Sequence, residues 1–508
     1  MDHLTSGQIR ILLKPADQQS KVGSLTITNP KEFKIETKLN THTRLVFKKP
    51  IGFDKDNDGD DRLRYLELLQ TQTLVTVELT GLAGSSQTSG KNRLIFAGIV
   101  TDFNINFEET HQKTKDKTEK IKTTTKQEYC LEIQAVSHTY QMDQKERKRT
   151  WQNKNMLVKT FLEQICKRYS SKSPIFKIEP DKVGNEKLGR FYLQFEETDW
   201  KWIIRIASNY NLNILPDPTV EKPRFYFGIP IKDNKELNQL IGRINNHITS
   251  NLANYRYSGT AVSYKILKTS RDFDIGDQVE IDGKQWIICQ KALELERNLL
   301  TYKYIFTTAA GLKRPKLTNG KIAGIALRGR VLKVERDRIK VHFDIDGDRS
   351  EEKDCFFPYA TAYAADGQTG LYCMPEENDC VQVYFPSGNE SEGVVMASIR
   401  KKPTGQCNDS RVKYFRTKNA KELKFDATGI LITEQNNQSG KVLIWLNEEK
   451  GIVFYGQKTI RLKSKLMTKL AAPNIDVVAG KELTVSCPGS KMTLNGNLRF
   501  QDQVILKN

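Results

Sequence analysis

The last 90 residues of this 508-residue chain constrain its fold more than any other segment. Short apolar runs alternate there with polar residues and small turns, as in GILITEQ, KVLIWLN, GIVFYG and ELTVSCPG. Within 475–496, apolar pairs recur every eight or nine residues and a glycine follows each pair. The pairs are Ile475/Val477, Leu483/Val485 and Met492/Leu494, and the glycines are Gly480, Gly489 and Gly496. This period predicts one short strand and one turn per repeat.

Strands this short and this sparse in apolar residues cannot bury a core within one chain. Three identical chains wound about a common axis would let each strand pair with its neighbours and bury the apolar pairs at the centre. The sequence therefore predicts that residues 412–508 form an intertwined trimeric β-helix or β-prism, shaped as a needle.

The rest of the chain is predicted to be mainly β, in three further units. Residues 1–150 hold alternating runs such as SLTITN and LVTVELTG, which predict antiparallel strands in a barrel. Residues 151–310 combine helical insertions with a second barrel, and their IDGK sequence predicts a hairpin with a two-residue turn. Residues 322–402 hold five short strands, which predicts a closed OB-type barrel. Residues 310–324 are expected to be a linker.

Two segments carry helical periodicity. The first lies within 153–169, and the second begins after Thr198, which is a suitable N-cap, with Asp199 in the first turn. The residues predicted to face the core are Leu157, Val158, Phe161, Leu162, Ile165 and Tyr169 in the first helix, and Trp200, Ile203, Ile204 and Ala207 in the second. Trp200 and Trp202 are two positions apart and cannot form one stacking face, so we expect both to pack in the interior.

The formal net charge of +19 raises the question of nucleic-acid binding. The densest basic cluster, at 111–127, lacks interleaved aromatic residues and is expected to be a mobile loop between strands, so no nucleic-acid partner is predicted. No stretch approaches the roughly 20 apolar residues of a membrane span, and the N-terminus lacks a signal-peptide core. A basic surface suits contact with an anionic envelope or with acidic neighbours in an assembly.

The eight cysteines are scattered, without a CxxC pair, and predict reduced thiols with neither a zinc site nor a disulfide framework. Cys373 and Cys380 are expected to pack as small apolar residues. The eight cysteines of the chain are Cys130, Cys166, Cys289, Cys355, Cys373, Cys380, Cys407 and Cys487.

The acidic segment at 54–61 is a candidate calcium site. Asp54, Asp56, Asp58, Gly59 and Asp60 match positions 1, 3, 5, 6 and 7 of an EF-hand loop. The twelfth position should supply a bidentate glutamate but holds a tyrosine, and no helix precedes the loop. A solvated acidic turn is therefore favoured over a calcium site.

Nothing in the sequence motivates a catalytic site. The six histidines do not cluster, and no nucleophile elbow or P-loop is present. We therefore assign no catalytic residue, no cofactor and no metal ligand, and we predict that the chain is not an enzyme.

Two segments resemble the VgrG family of type VI secretion and the related phage late control D proteins of contractile tails. The stretch LQFEETDWKWIIRIASNYNL at 193–212 is similar to a family motif. The matching residues are Glu197, Thr198, Asp199, Trp200 and Arg205, whereas Phe195 stands where tyrosine is common.

The second resemblance covers the predicted OB domain at 325–400. Six residues fit the family pattern, namely Gly370, Met374, Pro375, Asp379, Val381 and Phe385. Asn378 departs from it, because the family usually has glycine before this aspartate. The resemblance is strongest at 191–215 and 325–400, and weakest at 1–130.

The resemblance implies a fused baseplate hub and cell-puncturing spike. Three copies of residues 1–310 would form a pseudo-six-fold collar beneath a hexameric inner-tube protein, with baseplate wedge proteins around it. The OB domain would be a neck, and the needle would carry a PAAR-like tip protein towards the target cell envelope. The protein would assemble in the bacterial cytoplasm and then travel in the injection particle.

Two alternatives share parts of this architecture. Spikes of T-even phages carry an inserted lysozyme domain, which makes a peptidoglycan hydrolase one alternative, but only ~12 residues separate the barrel from the repeat here. A trimeric receptor-binding tail spike is the other alternative. It would share the β-helix but would not need the hub-like first half.

Overall fold

The computed structural model confirms a mainly β chain. It describes residues 5, 8–17, 23–51, 61–69, 72–80, 92–115, 121–170, 175–243, 249–251, 256–257, 260–261, 264–281, 283–348, 353–364, 369–400, 409–436 and 440–494. The chain divides into two compact units, Met1–Lys401 and Lys402–Asn508. None of the helices within the described ranges is long and apolar enough to cross a membrane. The acidic positions 54–60 lie outside these ranges.

The first unit contains twenty-five strands and five α-helices within the described ranges. The first are β1 (Ile9–Pro15), β2 (Leu25–Thr28), β3 (Glu32–Lys38), β4 (Arg44–Ile51), α1 (Asp61–Leu69), β5 (Thr73–Leu79), β6 (Arg93–Lys115), β7 (Ile121–Ser137), β8 (Glu146–Trp151), α2 (Val158–Cys166), β9 (Phe176–Ile178), β10 (Tyr192–Thr198), α3 (Asp199–Asn209), β11 (Ile214–Pro216) and β12 (Phe225–Phe227). They are followed by β13 (Lys232–Asp233), α4 (Lys235–Arg243), β14 (Thr249–Asn251), β15 (Arg256–Tyr257), β16 (Thr260–Ala261), β17 (Tyr264–Thr269), β18 (Asp277–Ile281), β19 (Lys284–Glu296), β20 (Leu299–Thr307), α5 (Ala309–Leu312), β21 (Ala326–Glu335), β22 (Arg338–Phe343), β23 (Phe356–Pro358), β24 (Cys380–Tyr384) and β25 (Val394–Ser398). Short 3₁₀ helices cover His138–Asp143, Asp181–Asn185, Gly320–Ile322, Asp344–Asp346 and Glu390–Glu392.

One thirteen-stranded sheet combines strands from residues 9–137 with strands from residues 232–307. Its strand order is β14-β17-β20-β19-β3-β4-β7-β6-β5-β1-β2, with β18 paired to β19 and β13 to β18. β19 runs antiparallel to β3, with Leu293 opposite Ile35, so segments that are far apart in sequence share one ladder. The predicted IDGK hairpin is confirmed, because Ile281 lies opposite Lys284.

The basic cluster at 111–127 is not the predicted loop. β6 and β7 continue through most of it, with Lys113 opposite Thr123, and 116–120 lie outside the described residues. Threonine is β-branched and has a high strand propensity, so a run of threonines is a strand signal that the loop prediction did not use.

Residues 138–228 form a lobe that is built around two helices. α2 is shorter than predicted, because Leu157 forms a bridge with Lys187 instead of joining the helix. Thr198 caps α3 as predicted and accepts a hydrogen bond from the Lys201 N–H at 3.3 Å. The lobe core includes Trp151, Val158, Phe161, Leu162, Ile165, Trp200, Trp202, Ile203, Ile204, Ile206, Ala207, Phe225 and Phe227. Both tryptophans of α3 are therefore buried as expected, but the prediction of one buried face was too narrow.

The small barrel has strand order β23-β22-β21-β24-β25, with antiparallel neighbours. Tyr359, next to β23, bridges Val395 in β25, and the Ala360 N–H donates to the Val395 carbonyl at 2.8 Å, which closes the barrel. The predicted OB barrel is thereby confirmed. Phe191 and Leu193 of the lobe belong to its core, so lobe and barrel share apolar packing.

Two details of this barrel correct or explain sequence features. Cys380 begins β24 and is buried as predicted, but Cys373 lies in the loop before that strand and is exposed, so its predicted packing was wrong. Asn378 has φ +73°, in the left-handed region that only glycine and, less readily, asparagine adopt at low cost. The departure from the family pattern therefore keeps the required backbone conformation.

The second unit consists of a five-stranded antiparallel meander and a hairpin. The strands are β26 (Lys413–Arg416), β27 (Lys421–Asp426), β28 (Gly429–Asn436), β29 (Gly440–Asn447), β30 (Gly451–Gly456), β31 (Leu483–Cys487) and β32 (Ser490–Leu494). The predicted apolar pairs in the hairpin face each other, with Leu483 opposite Leu494 and Val485 opposite Met492. Residues 457–482 form neither helix nor strand. Among the described side chains of this unit, no apolar one is buried.

Candidate functional site: a buried joint and an uncovered sheet face

The motif at 193–212 builds a joint between the lobe and the small barrel. β10 is irregular between Phe195 and Glu197, where Glu196 has φ +47°. A bulge of this kind re-aims the side chains that follow it. The next residues, Glu197 and Thr198, lead directly into α3, which carries Arg205 on its second turn.

Arg205 is the centre of the joint. Its Nε and Nη2 donate to the two carboxylate oxygens of Glu197 at 3.1 and 2.9 Å, and Nη2 also donates to the Leu193 carbonyl at 2.8 Å. Its Nη1 donates to both oxygens of Glu390, at 3.0 and 3.1 Å. Glu390 belongs to the small barrel, and it and Arg205 are only 2% and 3% exposed. One guanidinium thus joins two buried carboxylates from the two sides of the joint.

Burial shifts the pKa values of this cluster. Removal from water raises the pKa of Glu197, and the negative charge of Glu390 adds to this effect, although Arg205 opposes it. Burial alone would lower the pKa of Arg205, but its hydrogen bond to Glu197 and the charges of Glu390 and Glu197 outweigh burial and raise it. The arginine therefore stays charged and holds both carboxylates.

Asp199 gathers a second set of hydrogen bonds inside the lobe. Its fully buried carboxylate accepts from Arg149 Nη2 at 2.5 Å, Arg147 Nε at 3.1 Å, Tyr169 Oη at 2.8 Å and Gln194 Nε2 at 3.0 Å. Burial, together with the charge of Asp199, raises the pKa of Tyr169 to about 12. Asp199 was predicted to interact favourably with the positive end of the α3 dipole. Its arginine partners are Arg147 and Arg149 of β8, which lie 52 and 50 residues earlier in the chain.

β8 also reaches the barrel directly. The N–H and Oγ1 of Thr150 donate to Asp346 at 2.7 and 2.5 Å, and Asp346 is 8% exposed. Gln152 Nε2 donates to the Val341 carbonyl at 3.1 Å, and the Gln152 carbonyl accepts from the Asp354 N–H at 3.1 Å. Arg149 and Thr150 of β8 therefore bind the lobe and the barrel from neighbouring positions, and Gln152, just after the strand, adds to the contact with the barrel.

The expected linker at 310–324 packs along the lobe. The Leu317 N–H donates to Ser208 Oγ at 2.9 Å, and Asn319 Nδ2 donates to the Phe195 carbonyl at 2.8 Å. Its approach to the barrel is therefore fixed by hydrogen bonds to α3 and β10.

The four carboxylates that build the joint are held by hydrogen bonds. Its carboxylates at 197, 199, 346 and 390 all accept hydrogen bonds from arginine, threonine, tyrosine or amide groups. Nearby, His42 has Nδ1 2.8 Å from Thr139 Oγ1 and Nε2 3.3 Å from Asp143, so both ring nitrogens are engaged. The described residues also contain no group of three His, Cys, Asp or Glu side chains arranged to hold a metal ion. This arrangement suits rigid attachment of two folded parts.

The second unit carries an apolar face that the described residues leave exposed. One row runs straight across all five strands of the meander: Phe415, Leu423, Ile432, Ile444 and Phe454 stand opposite one another in turn. A second row on the same face contains Phe425, Ile430, Leu446 and Ile452. We call these nine residues the apolar ladder. Ile432 and Phe454 are 50% and 59% exposed.

The opposite face of the meander is mixed in character. Its central rows contain Tyr414, Lys424, Leu431, Trp445 and Val453, and Arg416, Glu422, Thr433, Leu443 and Tyr455. The ladder face also holds an open groove of about 350 Å³, lined by residues such as Leu423, Ile432 and Ile444. The two faces therefore have different chemistry, and one of them is suited to contact with another apolar surface.

Sequence reasoning missed the barrel side of the joint. Arg205 and Glu197 were singled out by their resemblance to the family motif, whereas Glu390, Asp346 and Arg149 were not. One usable signal was present in β8, where the alternation of Arg147 and Arg149 in a strand that ends in a tryptophan indicates buried cations that need acidic partners.

Comparison with known proteins agrees with this architecture. Residues 327–399 match the family model described as the type VI secretion system/phage-baseplate injector OB domain. The solved Francisella PdpA–VgrG complex, lidded, contains a chain with TM-score 0.55 and 10% identity, over 88% of this chain and 80% of that chain. The lidless PdpA–VgrG complex gives TM-score 0.54 and 11% identity, over 88% of this chain and 98% of that chain.

A further match is the E. coli c3393 protein, described as a component of the type VI secretion system, with TM-score 0.42 and 12% identity over 76% of this chain and 99% of that chain. No functionally curated protein matches the sequence. The likenesses to the PdpA–VgrG complex show a shared fold that extends well beyond the OB domain.

Proposed function

We propose that this chain is the fused baseplate hub and central spike of a contractile, phage-tail-like injection system, and that it acts mechanically as a homotrimer. The match of the small barrel to the injector OB domain and the fold shared with a chain of the PdpA–VgrG complex support this proposal. The observation that carries it is the uncovered apolar ladder of the second unit.

The ladder requires a partner of matching shape and chemistry. Nine apolar side chains in two cross-strand rows form a continuous patch, and a patch of this kind on a soluble protein marks an interface. Two further copies of the same chain supply such a surface, because three ladders turned towards a common axis cover one another.

The buried joint fits the mechanical part of the proposal. Force that is applied to the hub must reach the small barrel without a change in their relative geometry. Arg205 donates bidentate hydrogen bonds to the carboxylates of Glu197 and Glu390. Charged hydrogen bonds of this kind are strong and fix the orientation of the groups that they connect. The joint therefore behaves as a rigid coupling.

The remaining assignments follow from this role. Residues 1–150 and 151–310 would form the hub beneath a hexameric inner-tube protein, with baseplate wedge proteins alongside. Residues 322–402 would be the neck, and 412–508 the needle, which carries a PAAR-like tip protein towards the target cell envelope. The trimer would form in the bacterial cytoplasm and leave as part of the particle, and the role requires neither an enzymatic activity nor a cofactor.

The mass of the purified protein tests the proposal. Light scattering of the full chain is expected to give three times 58.2 kDa, whereas deletion of 412–508 is expected to shift the protein towards a monomer. A full-length monomer at micromolar concentration would contradict the trimer. Release of fragments from purified cell wall by the isolated protein would instead favour a peptidoglycan hydrolase.

A further inference from the structure

The segment between the meander and the hairpin of the second unit has an unusual charge. Between Glu449 and Asp476 the chain carries six basic residues and no acidic one. Five of them are concentrated in what we call the basic segment, and all five are exposed: Lys458, Arg461, Lys463, Lys465 and Lys469. The segment belongs to neither helix nor strand, and the chain bends at 465–466, where Ser464 Oγ accepts from the N–H groups of Leu466 and Met467 at 3.4 and 3.3 Å.

These charges differ from those on the neighbouring meander. There, basic residues have acidic partners: Lys424 lies 2.7 Å from Asp426, and Arg416 lies 3.5 Å from Glu422. None of the five cations in the basic segment forms an ion pair with a described residue. Part of the basic charge of the meander is thus paired with acidic groups, whereas the five cations of the basic segment have no acidic partner among the described residues.

Before this bend, the order of residues places two of the five charges on one side. Ile460 and Leu462 alternate with Arg461 and Lys463, and successive side chains of an extended chain point to opposite sides. Neighbouring cations on one side are then about 7 Å apart. Because the Debye length is about 8 Å at physiological ionic strength, they repel one another and their fields add.

The proposed trimer would multiply this effect, and the inference rests on that proposal. With Ile460 and Leu462 turned to the axis, the cations of three chains would form a positive collar around the needle. No acidic residue between 450 and 475 reduces this charge. A collar of this kind attracts a surface with a dense array of negative groups.

We propose that the basic segment binds the surface of a lipid bilayer that contains anionic phospholipids. Lysine and arginine at a bilayer surface interact with lipid phosphates, while their aliphatic stems and neighbouring residues such as Met467 lie at the acyl boundary. Single-stranded nucleic acid is the less suitable partner, because it is held largely by stacking on aromatic rings. Residues 457–499 contain no aromatic side chain.

Vesicle sedimentation with the full-length protein tests this inference. The wild type is expected to sediment with vesicles of phosphatidylcholine and phosphatidylglycerol, and to remain in solution with pure phosphatidylcholine. The variant Arg461→Gln, Lys463→Gln, Lys465→Gln, Lys469→Gln is expected to bind at least tenfold more weakly, because each basic residue near an anionic surface contributes about fivefold. Added salt should weaken the wild-type binding.

A matched control removes the same charge from the meander. The variant Lys413→Gln, Lys418→Gln, Lys421→Gln, Lys424→Gln is expected to bind within twofold of the wild type. Light scattering on the same samples separates the two proposals. A monomeric wild type contradicts the proposed trimer. A trimeric wild type that does not sediment with anionic vesicles contradicts the proposal that the basic segment binds lipid and leaves the proposed trimer intact.

Three further outcomes would overturn the inference. They are equal vesicle binding by the basic-segment variant and the wild type, equal losses in the two variants, and binding of single-stranded DNA that exceeds binding of the anionic vesicles. The first would place the binding elsewhere on the chain, the second would reduce it to net charge, and the third would make the segment a nucleic-acid site. The charge-conserving variant Arg461→Lys, Lys463→Arg, Lys465→Arg, Lys469→Arg should bind the anionic vesicles within twofold of the wild type.

Discussion

The buried joint and the apolar ladder distribute side chains in opposite ways. At the joint, Arg205, Glu197 and Glu390 are removed from water although charged groups normally stay exposed. On the ladder, Ile432 and Phe454 face water although such residues normally form cores. The joint is tolerable because every charge finds its partner within one chain. Among the described residues the apolar ladder has no such partner, so the joint is satisfied by contacts inside the chain and the ladder is not.

The largest expected effect breaks the ladder side of this comparison. Ile432 and Ile444 stand opposite each other at its centre, so Ile432→Glu with Ile444→Glu places charges in the proposed trimer core. We expect the trimer to be lost at micromolar concentration, as measured by light scattering. The fluorescence of the first unit, which contains four of the five tryptophans, should stay unchanged.

The matched control uses the other face of the same two strands. Leu431→Glu with Leu443→Glu adds the same charge to the mixed face and should leave the trimer intact. Dissociation of both variants to the same extent would show that the meander is not covered on one particular face.

The next effect breaks the joint side. Arg205→Leu leaves two carboxylates buried without their cation, and loss of one partner from a buried ion pair costs about 3–5 kcal/mol. Guanidinium unfolding followed by tryptophan fluorescence measures this loss, since Trp200 and Trp202 lie in the same helix. Arg411→Leu is the control, because this side chain is 84% exposed and should change the free energy of unfolding by less than about 0.5 kcal/mol.

Restoring charge balance should recover part of the loss. Addition of Glu197→Gln and Glu390→Gln to Arg205→Leu removes both unpaired charges, so the triple variant should be more stable than the single one. Equal or lower stability of the triple variant would mean that Arg205 acts through packing alone.

A smaller expected effect is a change with pH in the stability that Glu197 contributes. Burial raises the pKa of Glu197, so the folded state binds its proton more tightly than the unfolded chain does. Its contribution to stability is complete below the ordinary pKa and is lost as the pH rises through the raised value. The difference in the free energy of unfolding between wild type and Glu197→Gln should therefore fall from pH 4 to pH 7.

Asp272 should show the opposite trend. Burial would raise its pKa, but the charges of Lys291 and Arg93 and their hydrogen bonds outweigh burial and lower it. Its contribution is present above the ordinary pKa and is lost as the pH falls. The corresponding difference for Asp272→Asn should therefore rise with pH, and slopes of equal sign for the two residues would contradict this description.

The smallest expected effect comes from replacing Asn378 by glycine. Asn378 occupies a left-handed backbone conformation on the barrel, where glycine fits without strain. Asn378→Gly should change the free energy of unfolding by less than about 0.5 kcal/mol, whereas Asn378→Val should cost about 1–2 kcal/mol. A large loss from the glycine variant would show that the asparagine side chain has a role of its own.

Local signals in the sequence were sufficient for several elements. Thr198 followed by Asp199 marked the beginning of α3, because a cap and its helix are neighbours in the chain. The two-residue turn after Ile281 and the small barrel were predicted for the same reason. In the second unit, the low apolar content of the short strands indicated that one chain could not bury its apolar side chains by itself.

Contacts between distant segments were not predictable in the same way. The bond between Arg205 and Glu390 joins residues 185 positions apart, and no periodicity links them. The ladder depends on strand register, which places Ile432 opposite Ile444 and cannot be read from either strand alone. The prediction of a loop at 111–127 was wrong because the threonines of this cluster were not counted as a strand signal.

The pairing of β3 with β19 has a consequence for synthesis on the ribosome. Glu36 and its hydrogen-bond partner Gln290 are 254 residues apart, and at roughly 5–20 residues per second β3 waits tens of seconds for its neighbour. During that interval its open edge is a template for pairing with other nascent chains. The charges of Lys34, Glu36 and Lys38 along this strand oppose such pairing, so the strand carries its own protection until translation supplies β19.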